Sequence, residues 1–189
     1  MSSIQLRVNI IDTKPLIWRR ILVPADVSAY EFHHILQHTM GWCNRHLFEF
    51  HYSFYQLSLV DEMGETIPIG KGKSDMEKVT LGEMARQVKN SFVYLYDIGD
   101  NWEHRVTVEE FSDRQLDHPI CLEGERACPP EDCGGVSGYY EMLKILKNKF
   151  HKDHLMWTNW LKEYDPDWEK NRFDMDEVNE NLKKYKDWL

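Results

Sequence analysis

Apolar residues alternate with polar ones on both sides of a Gly-Asp turn in the stretch YLYDIGDNWEHRV, residues 94–106. Successive side chains of a β-strand point to opposite faces of a sheet, so this period of two predicts an antiparallel hairpin over residues 92–109 with one buried face. A histidine taken into such a face needs hydrogen-bond partners inside the protein. The residues that share the buried face of the second arm are Trp102, His104, Val106 and Val108.

The length of the turn decides which residues lie close to His104. A two-residue turn at Gly99 and Asp100 places Asp97 diagonally from His104, where its carboxylate would orient the imidazole. A three-residue turn instead places Tyr96 opposite His104. The sequence leaves both registers open, and we expect His104 to be buried and hydrogen-bonded to Asp97 or Tyr96, with the loop of residues 131–132 nearby.

Two further alternating stretches precede this hairpin and are expected to pair with each other. They cover residues 4–10 and 16–23, and the break TKP separates them. A capping box at Ser28 predicts a helix that would then cross one face of the sheet. Its His34 and His38 lie opposite the apolar stripe of that helix, so both are expected to be exposed.

The order of these elements predicts an α+β fold. A mixed or antiparallel sheet with a crossing helix, β-grasp-like in its arrangement, is followed by a C-terminal segment of three helices. The length of 189 residues is consistent with a single domain over residues 1–189. Within it, residues 1–111 are a sheet-rich core, residues 112–136 an irregular acidic loop, and residues 137–189 the helical C-terminal part.

The irregular segment contains GERACPPEDCGG, in which two prolines stiffen the chain and two glycines permit a sharp turn. Glu131 and Asp132 stand on this stiff stretch just before a predicted helix. In one interpretation they hold a cation or a basic group of a partner. In the other they are turn residues whose charge favours the N-terminus of the next helix. Both interpretations stay open.

The cysteines do not follow a known metal-binding spacing. His118 together with Cys121, Cys128 and Cys133 offers atoms that suit zinc, but the tight Cys-x2-Cys spacing is missing. In a cytoplasmic setting, unpaired thiols are expected rather than disulfides. We therefore predict four free thiols, counting Cys43, and neither a metal nor another cofactor.

The charge of the chain argues against a nucleic-acid partner. The formal net charge is −9, from 23 Lys and Arg against 32 Asp and Glu. Proteins that bind phosphate backbones usually present a basic face, whereas the basic clusters here are small. No stretch reaches the ~20 apolar residues of a membrane helix, and the N-terminus lacks the pattern of a signal peptide. We expect a cytoplasmic chain that binds neither nucleic acid tightly nor a membrane.

Five stretches occur in the order PLIWRRILVPADVS, MGWCNRHLFEF, YLYDIGDNWEHRVTVEE, CLEGERACPPEDCGG and YDPDWEKNRFDMDEVNENL. Together they resemble the plasmid pRiA4b open-reading-frame-three-like family, also labelled transposon-passenger TnpR-like. The resemblance implies a small cytoplasmic α+β domain of bacteria and archaea, often encoded near mobile elements, and implies no known activity. The central motifs of that family, Y-D-hydrophobic-G-D-x-W-x-H and P-P-E-D-x-G-G, map to residues 96–104 and 129–135. The TnpR label implies a resolvase, but no basic DNA-binding arm is visible.

We predict a binding or interaction module associated with mobile elements, whose partner is an unknown protein or small molecule. Its site is expected where the hairpin of residues 92–109 meets the loop of residues 131–132. One alternative is a metal-dependent hydrolase, and another is a nucleic-acid-associated protein of a mobile element. The hydrolase would use Asp97, Asp100, His104, Glu131 and Asp132. The candidate binding residues are Asp97, Asp100, Trp102, His104, Glu131 and Asp132.

The charge balance generates a first testable prediction. The chain should not bind DNA tightly at about 0.15 M salt, because an anionic surface repels phosphates unless a local basic stripe compensates. Fluorescence anisotropy with labelled duplex and single-stranded DNA measures this directly. Sub-micromolar affinity for either form would contradict the prediction.

Overall fold

A seven-stranded sheet forms the centre of the protein in the computed structural model, which describes residues 2–52, 55–58 and 76–189, the backbone alone for 55–58. All pairings among the described strands are antiparallel. The strands are β1 (Ser3–Ile10), β2 (Trp18–Pro24), β3 (Phe48–Tyr52), β4 (Tyr55–Ser58), β5 (Ser91–Tyr96), β6 (Trp102–Ser112) and β7 (Ile120–Glu125). Their order across the sheet is β4-β3-β5-β6-β1-β2-β7.

Strand β1 lies inside the sheet, between β2 and β6. Its alternating pattern is confirmed, because every second side chain is fully buried. Burying one large aliphatic side chain contributes about 1.5–3 kcal/mol, so this strand is a main source of stability. The buried residues of β1 are Ile4, Leu6, Val8 and Ile10.

The predicted crossing helix is α1 (Ala29–Met40). Its capping box is present, since the Ser28 hydroxyl accepts the Glu31 N–H at 3.1 Å and the Glu31 carboxylate accepts the Ser28 N–H at 2.9 Å. The helix ends at Gly41, whose φ of 89° is favourable for glycine. Phe32 stacks on Phe50 of β3 with 5.7 Å between ring centroids, so α1 covers the sheet as expected.

One short helix lies between β4 and β5 in the sequence, and the remaining helices lie in the C-terminal part of the chain. The predicted segment of three helices is present there and is extended by a final 3-10 turn. These elements are α2 (Leu81–Met84), α3 (Gly135–Lys147), α4 (His154–Tyr164), α5 (Met175–Leu182) and a 3-10 helix (Tyr185–Trp188).

The C-terminal elements cover the outer face of α1, and the prediction that His34 and His38 are exposed is wrong. Their exposed fractions are 0% and 8%. Trp188 lies against them, with its ring centroid 3.9 Å from that of His38 and 6.4 Å from that of His34. The amphipathic pattern identified the face of α1 that meets the sheet. It could not show that another part of the chain covers the polar face.

The segment of residues 112–136 is more regular than predicted. It contains β7, which pairs with the edge of the sheet at β2. Asn179 of α5 fixes this strand, because its amide oxygen accepts the Cys121 N–H at 2.7 Å and its amide nitrogen donates to the Cys121 carbonyl at 3.0 Å. The expected irregular loop is therefore confined to shorter stretches on either side of β7.

The α+β fold class is confirmed. The β1–β2 hairpin and the helix that crosses the sheet after it are both present, and the described sheet is antiparallel rather than mixed. Among the helices in the described part of the chain, none is long and apolar enough to cross a membrane.

The burial of His34 generates a second prediction. Neither ring nitrogen of His34 has a hydrogen-bond partner among the described residues, and burial lowers the pKa of this imidazole to about 4. Because the pKa in the folded state lies below the unfolded value of about 6.5, the unfolded chain binds more protons between these two values. The free energy of unfolding should therefore fall as the pH drops from about 6.5 to about 4, and His34 should contribute no further slope below that.

Replacing His34 by leucine should reduce this slope and should preserve or raise stability at pH 7. The apolar side chain removes two buried polar atoms that cost about 1–3 kcal/mol when they are unpaired. Urea unfolding of both proteins between pH 4 and pH 7.5 measures the difference. An unchanged slope in the His34→Leu variant would contradict the prediction.

Candidate functional site

The hairpin of β5 and β6 is closed by the loop of residues 97–101. Tyr94 lies opposite His104, and Tyr96 lies opposite Trp102. Neither turn length considered from the sequence matches this register, so both are wrong. The loop is longer than either turn, because the pairing of β5 with β6 ends at Tyr96 and Trp102.

Asp97 explains the longer loop. Its backbone is left-handed, with a φ of 57°, and its Oδ1 accepts the N–H of Gly99 at 2.9 Å and that of Asp100 at 3.2 Å. An aspartate that binds backbone amides two and three residues ahead stabilises a turn in place of strand pairing. The second carboxylate oxygen of Asp97, Oδ2, does not take part in this turn.

His104 is fully buried, as predicted, but the predicted acidic or phenolic partner is wrong. Its Nδ1 lies 3.2 Å from the main-chain carbonyl of Tyr94, the residue that the actual register places opposite it. Its Nε2 has no hydrogen-bond partner in the described part of the chain. Burial lowers the pKa of His104 to about 4, so the ring is neutral at pH 7. His104 is a core residue of the hairpin.

Trp42 joins the hairpin to the segment that precedes α3. Its ring meets His104 edge-on, with 5.0 Å between centroids, and stacks on Tyr96 at 4.8 Å. Its Nε1 donates to the Pro129 carbonyl at 3.0 Å. The stretch that carries Glu131 therefore lies beside the hairpin, as expected, although one aromatic layer separates it from His104.

Glu131 is a buried carboxylate with an exposed fraction of 2%. Its Oε1 accepts the Tyr96 hydroxyl at 2.5 Å and the Cys43 N–H at 3.2 Å, and the same hydroxyl accepts the Arg45 N–H at 3.1 Å. Burial, and then this bond to Glu131, raise the pKa of Tyr96. Glu131 Oε2 is buried without a partner among the described residues. The pair of Tyr96 and Glu131 thus holds the backbone of residues 43–45.

Asp100 connects the hairpin loop to the start of α3. Its Oδ2 accepts the Gly134 N–H at 2.9 Å. The next residue, Gly135, has a φ of 65°, and a Cβ atom there would lie 2.2 Å from the Asp100 carbonyl oxygen. Only glycine permits this close approach, which fixes the distance between the loop of residues 97–101 and the stretch that ends in Gly135.

These contacts bring one histidine and two aspartates together on the surface. His46 Nδ1 lies 3.7 Å from Asp97 Oδ2, and His46 Nε2 lies 3.3 Å from Asp132 Oδ1. One ligand atom from each of the three residues lies within 4.8 Å of the other two. Asp97 is nearly buried, His46 is partly buried and Asp132 is exposed, so the cluster is open to solvent on the side of Asp132.

His46 was not among the predicted site residues. It stands in the short connection between α1 and β3, where no periodicity or motif relates it to residues far away in the sequence. Its position beside the two aspartates depends on Glu131 and Tyr96, which hold the backbone of residues 43–45. The approach of His46 to the two aspartates is a property of the folded chain.

The structure divides the six candidate residues into three pairs. Asp97 and Asp132 belong to the cluster with His46. Glu131 holds the backbone just before His46, and Asp100 accepts the Gly134 N–H of the stretch that carries Asp132. Trp102 and His104 are fully buried under this surface.

The comparisons with known proteins agree with the fold. The family model of the plasmid pRiA4b ORF-3-like protein matches residues 2–177. The uncharacterized protein y4hQ of Sinorhizobium fredii is 35% identical over 168 residues, which cover 88% of this chain and 84% of that protein. The crystal structure of MM3350, a protein of unknown function from Methanosarcina mazei Go1, superposes with a TM-score of 0.78 at 30% identity, over 94% of this chain and 97% of that one. The chain belongs to the pRiA4b ORF-3-like family.

The close approach at Gly135 generates a third prediction. Gly135→Ala should lower the free energy of unfolding by about 3 kcal/mol or more, because the new methyl group must displace the Asp100 backbone. Gly41→Ala is a matched control, since Gly41 also has a positive φ but its Cβ would meet no atom within 4 Å. This control should cost only about 1–2 kcal/mol, the strain of the left-handed conformation. Equal losses in chemical denaturation would contradict the prediction.

Proposed function

We propose that this member of the pRiA4b ORF-3-like family is a binding module for a divalent transition-metal ion. The ion would be held by His46, Asp97 and Asp132. The observation that carries the proposal is the convergence of one imidazole and two carboxylates, from three separate segments, within 4.8 Å. This proposal departs from the sequence analysis, which expected no metal and named His104 among the candidate binding residues.

The donor atoms favour particular ions. Imidazole nitrogen together with carboxylate oxygen suits Zn²⁺, Mn²⁺, Fe²⁺, Co²⁺ and Ni²⁺, whereas Mg²⁺ and Ca²⁺ prefer oxygen ligands alone. Three protein ligands also leave coordination positions for water or for a group of a partner molecule. Because Asp132 is exposed, such open positions would be accessible from solvent.

The surroundings support a prepared site. Asp97 cannot rotate freely, because its Oδ1 is held by two backbone amides while Oδ2 faces His46. The backbone just before His46 is held by Glu131 and Tyr96. Such outer contacts orient metal ligands and reduce the conformational entropy that binding removes.

Charge supplies a second argument. Glu131, whose buried Oε2 has no partner among the described residues, precedes Asp132 directly, and Asp100 follows Asp97 in the facing loop. The carboxylate oxygens that Asp97 and Asp132 bring to the cluster lie within 4.8 Å of each other, so they repel one another, and a bound cation would relieve the repulsion.

The other interpretations receive less support from the contacts. The hydrolase interpretation requires His104 to lie beside the acidic residues. Trp42 instead lies between His104 and the stretch of residues 129–131. Metal binding without a defined reaction is therefore the function that the geometry favours. This acidic surface would repel phosphates, so it does not support the nucleic-acid interpretation.

A fourth prediction tests the metal site. Chain purified without a histidine tag and treated with a chelator should bind about one equivalent of Co²⁺ or Zn²⁺ in calorimetry. His46→Gln and Asp132→Asn should each weaken binding by at least about 10- to 100-fold, which is the loss typical even of outer-shell partners. Bound Co²⁺ adds a visible absorption band that both variants should lose.

His51→Gln is the matched control. His51 pairs with Glu49 at 2.8 Å on β3 and is not part of the cluster, so this variant should bind like the natural chain. Circular dichroism verifies that each variant is folded. Absence of binding at millimolar metal, or equal affinity in His46→Gln and the natural chain, would refute the proposal.

A further inference from the structure

Arg19 of β2 is a buried cation on the sheet face covered by α1, with an exposed fraction of 3%. Its Nε donates to the Thr39 carbonyl at 3.3 Å, at the C-terminal end of α1. Its Nη1 donates to the carbonyls of Trp18 at 2.8 Å and Glu125 at 3.0 Å. These acceptors are main-chain groups, and a helix C-terminus favours a positive charge.

Arg19 nevertheless lacks an anionic partner. None of the carboxylates in the described part of the chain forms an ion pair with it, and its Nη2 makes no hydrogen bond there. A guanidinium stays charged even when it is buried, and a buried charge without a counter-ion is costly. The two N–H groups of Nη2 are therefore available to donate to a carboxylate.

The guanidinium is held rigidly in this orientation. Its Cζ lies 4.4 Å from the centroid of the Phe173 ring, which stacks on it. Gly124 of β7 makes room for both groups, because a Cβ atom there would lie 2.7 Å from the Phe173 ring and 2.8 Å from the Arg19 side chain. An arginine fixed by stacking loses little entropy when it binds an anion.

Arg19 lines a cleft of about 170 Å³ between the end of α1 and the segment after α4. This volume is comparable to a cavity of about 150 Å³ that holds benzene, so a molecule of that size fits. The walls near Arg19 are largely apolar or aromatic. They include Met40, Cys128, Pro129, Tyr164, Trp168 and Phe173.

The rim of the same cleft is acidic. Asp167, Glu169 and Asp174 line it and are exposed. In the described part of the chain these three carboxylates form no ion pair, although Asp174 also caps α5. Arg172 also lines the cleft but pairs with Glu177 at 2.8 Å, so the cleft combines one buried positive group inside with unpaired carboxylates at its mouth.

We propose that this cleft binds a small zwitterion of the α-amino acid class. Its carboxylate would bind the Nη2 side of Arg19, its ammonium group would face the acidic rim, and its side chain would pack against Trp168. A dianion would be rejected by the rim carboxylates, and a plain amine would leave Arg19 without an anion. This site shares no residue with the cluster of His46, Asp97 and Asp132.

Ligand-observed NMR and calorimetry with the natural chain test the proposal, using each of the twenty common amino acids alone. A chelator is present throughout, so that amino acids cannot bind through a metal ion. For L-valine or any other amino acid that binds, the carboxamide and the analogue without the amino group are then compared. Each should bind about tenfold or more weakly, because each removes one charged interaction.

Two variants locate the binding. Arg19→Lys keeps a positive charge but removes the Nη2 donors and the planar group that stacks on Phe173, and it should lose at least about tenfold in affinity. Arg20→Met is the matched control, since Arg20 pairs with Glu109 and Glu123 outside the cleft, and it should bind normally. The comparison of ligand analogues on the natural chain stands even if an Arg19 variant does not fold. Failure of every amino acid to bind, or equal affinity for the analogue without the amino group, would overturn the proposal.

Discussion

The buried hydrogen bond between the Tyr96 hydroxyl and Glu131 holds together the three segments that form the candidate site. It joins the end of β5 to the stretch before α3, and through Cys43 and Arg45 it also holds the connection between α1 and β3. Because a buried carboxylate is costly without partners, these segments are constrained to this one arrangement. The cluster of His46, Asp97 and Asp132 is a consequence, since each of its members stands on one of the three segments.

A second constraint comes from α1, which is covered on both sides. The sheet contacts one face through Phe32, and the C-terminal elements contact the other through Trp188. Arg19 lies at the C-terminal end of this helix, where its buried charge meets the Thr39 carbonyl. The two proposed sites share no residue. One depends on the loops beyond β5, and the other on the segment that follows α4.

Several local features could be predicted because their causes are local. The alternation in β1 and the row containing Trp102 and His104 follow from the period of a strand, and the capping box at Ser28 follows from residues three positions apart. The register of the β5–β6 hairpin could not be predicted, because Asp97 bonds two amides of its own loop and lengthens it. The burial of His34 could not be predicted, because Trp188, whose ring lies against it, is distant in sequence.

The sequence by itself determined the α+β class, the faces of the strands, the start of α1 and the presence of carboxylates in two distinctive stretches. It also carried the motifs of the pRiA4b ORF-3-like family. Only the tertiary structure decided which polar groups meet: His46 with Asp97 and Asp132, and Arg19 with a cleft instead of a carboxylate. The physical reason is that periodicity and capping involve neighbours along the chain, whereas these encounters depend on packing between segments that are far apart in sequence.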